Sequence, residues 1–125
     1  MGMFVISKRH NGDYKFVFTS RKGKTIFTSI SYRHKSDCEQ MITAIRDNIA
    51  QFTFTRNATA SGKYFFRLSK GGLVLATSRK YSTPLMLSKG IDEIHKYLPK
   101  AEILDFSKGE FVFPDDTAVE VEMEQ

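Results

Sequence analysis

The sequence contains one cysteine, Cys38, among 125 residues, so no disulfide can form within the chain. A single thiol is typical of proteins kept in a reducing compartment. No stretch approaches the roughly 18 to 20 apolar residues that a membrane span requires. The N-terminal MGMFVISKRH also lacks the apolar core and the small-residue cleavage site of a signal peptide. These absences predict a cytoplasmic protein that has no membrane contact.

Acidic residues are scarce in most of the chain. Residues 1–100 carry 18 Lys and Arg but only 6 Asp and Glu, a balance of +12, whereas residues 101–125 carry 1 and 8, a balance of −7. A basic surface attracts polyanions, which release counterions when they bind. The acidic C-terminal part can instead cover that basic surface within the same molecule, which is the simpler interpretation.

Signatures of catalysis and of metal binding are also missing. No G-x-S-x-G, Walker-type or dinucleotide glycine pattern occurs. The histidines at positions 10, 34 and 95 do not have the spacing of metal ligands. Cys38 lies on an apolar helical stripe, which favours a buried, inert thiol over a nucleophile or a ligand. We therefore expect no enzyme activity, no metal and no cofactor.

One pattern of residues occurs twice in the chain. Residues 3–49 align with residues 52–98 at offsets of 48, 50 and 49, and the offset changes only in stretches rich in Gly, Asn or Lys. Length changes confined to turns are typical of a duplicated fold, because loops tolerate insertions that strands do not. The matched positions include Phe4 with Phe52, Phe16 with Phe66, and Ile45 with Ile94.

Each unit begins with strand-like alternation. In YKFVFT (14–19) and YFFRLS (64–69), every second residue is Tyr, Phe or Leu, which predicts one apolar face. Glycine-containing turns then lead to TIFTSIS and LVLATS, so each pair is predicted to form a β-hairpin. A further strand, MFVIS or FTFT, precedes each hairpin. Lys70 with Gly71 and Gly72 resembles a phosphate-binding loop, but such loops open helices, whereas a strand follows here.

Helical spacing follows in both units. Apolar residues recur at i, i+3, i+4, i+7 and i+11 over 38–49, and at i, i+4, i+7 and i+11 over 87–98. The predicted unit is therefore β-β-β-α. Beyond the second helix, AEILDF and EFVF are each short enough to add an edge strand.

Both helix starts carry capping signals. Ser36 with Glu39 predicts a capping box for the first helix. Thr83 before Pro84 predicts an N-cap followed by a proline at the first helical position of the second helix.

The second unit resembles the YegP-like family of small bacterial proteins in three ordered motifs, GKYFFRL, ATSRKYST and GIDEIHK. PKAEILDFS is similar to the segment that closes those domains. The first unit matches more loosely, with Phe27 in place of Ala76 and Met41 in place of Gly90. The resemblance implies an α+β fold of two tandem β-β-β-α repeats related by a pseudo-twofold axis, with an antiparallel sheet packed against two helices. It implies no activity, because the family is uncharacterised.

We accordingly divide the chain into one YegP-like domain and an extension. The domain spans residues 1–107, with repeat one at 3–49, repeat two at 52–98 and a closing segment at 101–107. Residues 108–125 form an acidic C-terminal extension. The extension is expected to be partly disordered, because it is charged and poor in large apolar groups.

Binding is the class of function that the composition favours. The protein is expected to be a binding or interaction module, and edges of its sheet would allow a homodimer. Alternatively, it binds a polyanion or single-stranded nucleic acid weakly through a basic and aromatic sheet face, modulated by the acidic extension. Proteins that bind single strands combine a basic groove with exposed aromatic rings.

The candidate contacts lie in the second unit. They are Lys63, Phe65, Arg67, Arg79 and Lys80. Lys63, Phe65 and Arg67 are expected on the sheet face opposite the apolar residues, as is Lys15 in the first unit. Phe65, Arg67, Arg79 and Lys80 are all expected to lie away from the helix-covered core. The structural alternative is that the aromatic residues form the core and the lysines keep the outer face hydrated.

Overall fold

The computed structural model describes residues 2–107 and has an α+β fold with seven strands and two α-helices. The first half contains β1 (Met3–Lys8), β2 (Tyr14–Thr19), β3 (Thr25–Ser29) and α1 (Lys35–Asn48). The second half contains β4 (Thr53–Ala58), β5 (Tyr64–Lys70), β6 (Leu73–Ser78) and α2 (Pro84–Tyr97). A last strand, β7, spans Glu102–Asp105. None of the helices in residues 2–107 is long and apolar enough to cross a membrane.

All seven strands form one sheet in the order β4-β5-β6-β3-β2-β1-β7. The pairs within β1 to β6 are antiparallel, as predicted. The prediction of an antiparallel sheet is wrong for β7, which runs parallel to β1. Parallel neighbours require a long crossover, and here the intervening chain includes α2. The fold is therefore a mostly antiparallel sheet with one parallel edge.

The predicted hairpin turns are confirmed by their backbone angles. Gly23 lies between β2 and β3 with φ of 84°, and Gly72 lies between β5 and β6 with φ of 81°. Residues with a Cβ rarely adopt this region, so glycine is favoured at both turns. Gly71 also has a positive φ of 61°, and β6 follows directly. The Gly-Gly pair is thus a hairpin turn.

The core lies between the two helices and one face of the sheet. Alternate residues of β1, β2 and β5 pack there with one side of each helix. Phe18 stacks on Phe27 with ring centres 5.5 Å apart, and Phe27 meets the edge of Phe66 at 6.5 Å. These rings join the two halves of the sheet. Fully buried core residues include Phe4, Ile6, Phe16, Ile42, Ile45, Leu68 and Ile94.

The two helices begin differently. The backbone N–H of Met86 donates to Thr83 Oγ1 at 3.1 Å, which confirms the predicted N-cap of α2. The predicted capping box of Ser36 is wrong, because the N-cap of α1 is His34 and no side chain caps it. Two backbone hydrogen bonds hold Tyr32 against β2, so the chain leaves the sheet there and is already helical at Lys35.

The segment AEILDF supplies β7, which confirms one of the two predicted edge strands. Backbone hydrogen bonding continues past its end, since the N–H of Phe106 donates to the carbonyl oxygen of Ile6 at 2.9 Å. The second segment, EFVF, and the predicted disorder of the extension fall in residues 108–125, which lie outside the described residues.

Candidate binding surfaces

The helices leave one face of the sheet uncovered, and we call it the open face. The strand register places a row of directly paired residues across it. The row runs Thr55, Arg67, Thr77, Thr28, Val17, Val5 and Leu104. Its side chains are polar or basic on β4, β5, β6 and β3 and aliphatic on β2, β1 and β7. The second half of the sheet, with the neighbouring β3, therefore presents the hydrogen-bonding part of the open face.

Phe65 and Arg67 lie together on the open-face side of β5. Alternation along the strand places both opposite the buried Phe66 and Leu68. The guanidinium carbon of Arg67 lies 5.3 Å from the centre of the Phe65 ring, a cation–π distance. Arg67 is exposed and forms no ion pair with a carboxylate of residues 2–107. Its charge is therefore held in place by a ring and is not neutralised by any carboxylate of residues 2–107.

Lys63 precedes β5 in an exposed turn. Its backbone N–H donates to Thr59 Oγ1 at 3.0 Å, which fixes the turn and leaves the ammonium group to the surface. Lys63, Phe65 and Arg67 are alternate residues, so the strand period brings them to one side.

Arg79 and Lys80 follow β6, and Arg79 does not lie on the open face. It is half-buried, its guanidinium carbon lies 5.2 Å from the centre of the Tyr81 ring, and it lines a cleft with residues of α2. The expectation that Arg79 lies away from the helix-covered side is therefore wrong. The irregular chain after β6 breaks the strand alternation on which that expectation relied. Lys80 is exposed.

Lys15 also departs from its predicted environment. The ladder pairs it with Ser7 of β1 on the open face, yet only 2% of its surface is exposed. Alternation along a strand identifies the face of a side chain but not what else packs on that face. The open face near β2 is thus covered at this position rather than hydrated.

The cleft beside α2 was missed from the sequence. It has a volume of about 210 Å³, and its charged lining residues are Lys24, Arg79, Lys89 and Glu93. They come from the turn before β3, the segment after β6, and α2. Gly90, where the first unit has Met41, was the available signal, because it marks a place where the helix lacks a side chain.

The thiol and the histidines do not form a site in the described part of the chain. Cys38 is fully buried, and burial, with smaller contributions from Glu39 and Asp105, raises its pKa to about 12. The prediction of a buried thiol is confirmed. His95 Nδ1 lies 3.1 Å from the carbonyl oxygen of Ile91, one turn earlier in α2. Within residues 2–107, no three His, Cys, Asp or Glu side chains converge as a metal site would require.

A buried hydroxyl group in the first half lacks a partner among the described residues. The hydroxyl of Tyr32 has no hydrogen-bond partner within residues 2–107. Burial, followed by the nearby Cys38 and Asp37, raises its pKa to about 12. Tyr32 therefore stays neutral in the folded protein at all ordinary pH values.

The curated proteins that are similar to this chain are UPF0339 proteins of bacteria. No family model matches the chain. A UPF0339 protein encoded in the 5′ region of the ptx operon of Stutzerimonas stutzeri is 26% identical over 106 residues, which are 83% of this chain and 96% of that protein. The UPF0339 protein YegP of Escherichia coli K12 is 32% identical over 95 residues, which are 74% of this chain and 86% of that protein.

The fold has solved counterparts. The solution NMR structure of Escherichia coli YegP, described as a protein of unknown function, matches with a TM-score of 0.77. Sequence identity in that alignment is 24%, and it covers 87% of this chain and 96% of the other. The match supports the arrangement of seven strands and two helices.

Proposed function

The chain belongs to the UPF0339 (YegP) family, whose function is unknown, and we propose that it is a non-catalytic, cytoplasmic module that binds single-stranded nucleic acid. The binding surface is the open face of β5 and its neighbours, with Lys63, Phe65 and Arg67 as the principal contacts. Lys80 is exposed after β6 and adds to this basic surface, whereas Arg79 lies on the helix-covered side and is not counted among its contacts.

The observation that carries the proposal is the pairing of Arg67 with Phe65. Single-strand binders use aromatic rings on which bases stack and cations that contact the phosphates, and both occur here at one place. Arg67 has no carboxylate partner in residues 2–107, so a phosphate that binds it breaks no ion pair within that part of the chain. Thr55 and Thr77, its direct neighbours on β4 and β6, add hydroxyl groups beside it.

The acidic extension acts as a modulator in this proposal. Residues 108–125 carry six Asp and Glu but one Lys, whereas residues 1–107 carry 18 Lys and Arg and 8 Asp and Glu. The two parts attract each other, and a polyanion competes with the extension for the same basic surface. Removing the extension should therefore strengthen binding.

The domain organisation is part of the proposal. We regard residues 1–107 as one domain of two repeats, at 3–49 and 52–98, with 101–107 as the closing segment. The register at the middle of the sheet supports a pseudo-twofold axis. Phe27 pairs with Ser78, Thr28 with Thr77, and Ser29 with Ala76. Thr28 and Thr77 are 49 positions apart and pair with each other, as residues beside a twofold axis must.

Fluorescence anisotropy with a labelled oligothymidylate tests the function. We expect salt-dependent binding by the full chain and tighter binding after deletion of residues 108–125. Changing the six acids of the extension to their amides should have the same effect, which separates charge from chain length. Absence of binding at low salt by all three proteins would contradict the proposal.

Point variants assign the surface. Phe65→Ala should weaken binding by about 1 to 3 kcal/mol, the contribution of one stacked base. Arg67→Ala should reduce the slope of log affinity against log salt by about 0.7, the value for one contacted phosphate. Arg33→Ala is the matched control, because Arg33 is exposed but belongs to the first half. An equal loss in Arg33→Ala would mean that net charge alone drives binding.

A homodimer through the sheet edges is the second interaction that the fold allows. β4 is an outermost strand, and most of its residues are exposed. Unpaired edges of this kind accept another strand. Light scattering over a range of concentrations tests it, and a constant monomer mass would exclude a dimer.

A further inference from the structure

A cleft of about 210 Å³ opens between α2, the turn before β3 and the segment after β6. We refer to it as the α2 cleft, and the residues that matter for its chemistry are Lys24, Arg79, Tyr81, Lys89, Gly90 and Glu93. Pockets for drug-sized ligands usually measure about 300 to 1,000 Å³, so this cleft suits a smaller molecule.

Gly90 explains why Tyr81 forms one wall of the cleft. A side chain at position 90 would clash with the Tyr81 hydroxyl oxygen and would have its Cβ only 2.8 Å from Cζ. The ring thus lies directly against the backbone of α2, and only 7% of Tyr81 is exposed. Since Tyr81 also pairs with Tyr64 through two backbone hydrogen bonds, this wall is held from the helix and from the sheet.

Arg79 is held beside Tyr81 by its backbone and by the Tyr81 ring. The backbone N–H of Arg79 donates to the carbonyl oxygen of Ile26 at 2.9 Å, which ties the chain after β6 to β3. The Arg79 guanidinium lies over the Tyr81 ring at 5.2 Å. Its planar group is therefore oriented by a buried ring, and no side-chain hydrogen bond or ion pair within residues 2–107 occupies its N–H donors.

Charge in the α2 cleft is unbalanced. Lys24, Arg79 and Lys89 face one carboxylate, that of Glu93, which leaves two positive charges in excess. None of these three cations forms an ion pair within residues 2–107. Tyr81 adds a neutral hydroxyl group, since burial raises its pKa, opposed by Arg79 and reinforced by Glu93.

The first half lacks this chemistry at the corresponding positions. The residues 49 positions before Arg79, Lys89 and Glu93 are Ile30, Gln40 and Ala44, and Met41 stands for Gly90. The residue 49 positions after Lys24 is Leu73. Two of these, Ile30 and Leu73, are exposed hydrophobic side chains. The positions that carry the cations of the α2 cleft thus correspond to uncharged residues beside α1.

We propose that the α2 cleft binds a small phosphate monoester, with the phosphate group held by Arg79, Lys24 and Lys89. A doubly charged phosphate matches the two uncompensated positive charges. Its tetrahedral oxygens accept from donors that approach from three chain segments, whereas a planar carboxylate offers one charge and two oxygens. Ile26 and Met86 give the cleft an apolar part for the carbon skeleton of the ester. This site does not depend on nucleic-acid binding at the open face.

Amide chemical shifts of the full ¹⁵N-labelled chain test the site with three probes, inorganic phosphate, phenyl phosphate and acetate. We expect saturable shifts with both phosphates, largest at the amides of Arg79, Tyr81, Lys89 and Gly90. Phenyl phosphate should bind more tightly than inorganic phosphate, and acetate should not saturate. Shifts that never saturate, or that spread over all exposed lysines, would overturn the proposal.

Variants supply the second measurement. Arg79→Gln combined with Lys89→Gln should weaken phenyl phosphate binding tenfold or more. If the double variant proves unstable, Lys89→Gln alone serves in its place, because Lys89 is exposed on α2 and its replacement should not disturb the fold. The single variant should weaken phenyl phosphate binding severalfold. The control is Arg67→Ala, which should leave phosphate binding unchanged while weakening oligonucleotide binding. Unchanged affinity in the double variant would reject the site.

Discussion

The two halves of the sheet share a set of hydrogen bonds but differ in the side chains around it. Phe16 N–H donates to Ser29 Oγ at 2.9 Å, and Phe66 N–H donates to Ser78 Oγ at the same distance. Each serine hydroxyl then donates to the next residue's carbonyl oxygen at 2.7 Å. Both serines are buried, so these bonds are part of the sheet's interior.

The two halves differ in side chains that take no part in those hydrogen bonds. The first half has Phe27 in the core where the second has Ala76, and Met41 on its helix where the second has Gly90. Where Gly90 has no side chain, the Tyr81 ring lies against the backbone of α2 and forms a wall of the α2 cleft. The serine hydrogen bonds are thus the same in both halves, while the side chains beside the two helices differ.

The largest expected effect comes from a substitution that gives the first half the core residue of the second. Phe27→Ala gives the first half the residue of the second and removes a fully buried ring that contacts Phe18 and Phe66. We expect the free energy of unfolding to fall by about 3 to 5 kcal/mol, because the cavity spans the junction of the halves. Urea denaturation measures it. Ile30→Ala, at an exposed position, is the control, and a loss below about 1 kcal/mol for Phe27→Ala would mean that the core can collapse.

The shared serine bonds predict equal effects. Ser29→Ala and Ser78→Ala each leave a buried backbone N–H, of Phe16 or Phe66, without its acceptor. Each should lower the free energy of unfolding by about 1 to 3 kcal/mol. Urea denaturation of both variants should give values that agree to within about 0.5 kcal/mol. If only one variant is destabilised, the two halves are not held in the same way.

The helix starts predict unequal effects. Thr83→Ala removes the side-chain cap of α2 and should lower the free energy of unfolding by about 1 kcal/mol. Ser36→Ala should change it by less than about 0.5 kcal/mol, since Ser36 does not cap α1. Thermal or urea denaturation compares the pair directly. A matching loss in Ser36→Ala would restore the capping box that the sequence suggests.

Local patterns predicted the elements well because their causes are local. The alternation in 14–19 and 64–69 and the helical stripes after Cys38 and Leu87 each reflect one buried face. The predictions that were wrong depend on contacts between residues far apart in sequence. The direction of β7 depends on where α2 delivers the chain, and the burial of Lys15 depends on what covers the open face.

The candidate site was predicted only in part for the same reason. Phe65 and Arg67 lie two residues apart on one strand, so the strand period alone brings them together. The α2 cleft joins Lys24, Arg79 and Lys89 from three segments, and no spacing along the chain relates them. Only the missing side chain of Gly90, compared with Met41, pointed to that place.

The smallest test concerns an ion pair at the start of α1, where the second half has Pro84 in place of a lysine. Lys35, at the start of α1, forms an ion pair with Asp105 at the end of β7. Burial of Asp105 opposes ionisation, but hydrogen bonds from Lys35 and Ser107 outweigh it and hold the pKa of the carboxyl below its ordinary value. The same bond to Asp105 raises the pKa of Lys35. Asp105→Asn keeps an acceptor for Ser107 and removes only the charge, so it should cost about 0.2 to 1 kcal/mol at neutral pH.

The pH dependence identifies the carboxylate as the cause. Because the pKa of Asp105 is lowered on folding, its stabilising contribution is complete above the unfolded value of about 3.9 and is lost as pH falls through the folded value. The difference in stability between the native chain and Asp105→Asn should thus be constant from about pH 7 to 5, and it should shrink as the pH falls below the unfolded pKa of about 3.9 and then through the lower folded pKa. Urea denaturation at several pH values measures it. Asp47→Asn is the control, because Asp47 is exposed and its pair with Arg46 at 3.7 Å should contribute almost nothing. A difference that persisted at low pH would assign the loss to packing of β7 rather than to the ion pair.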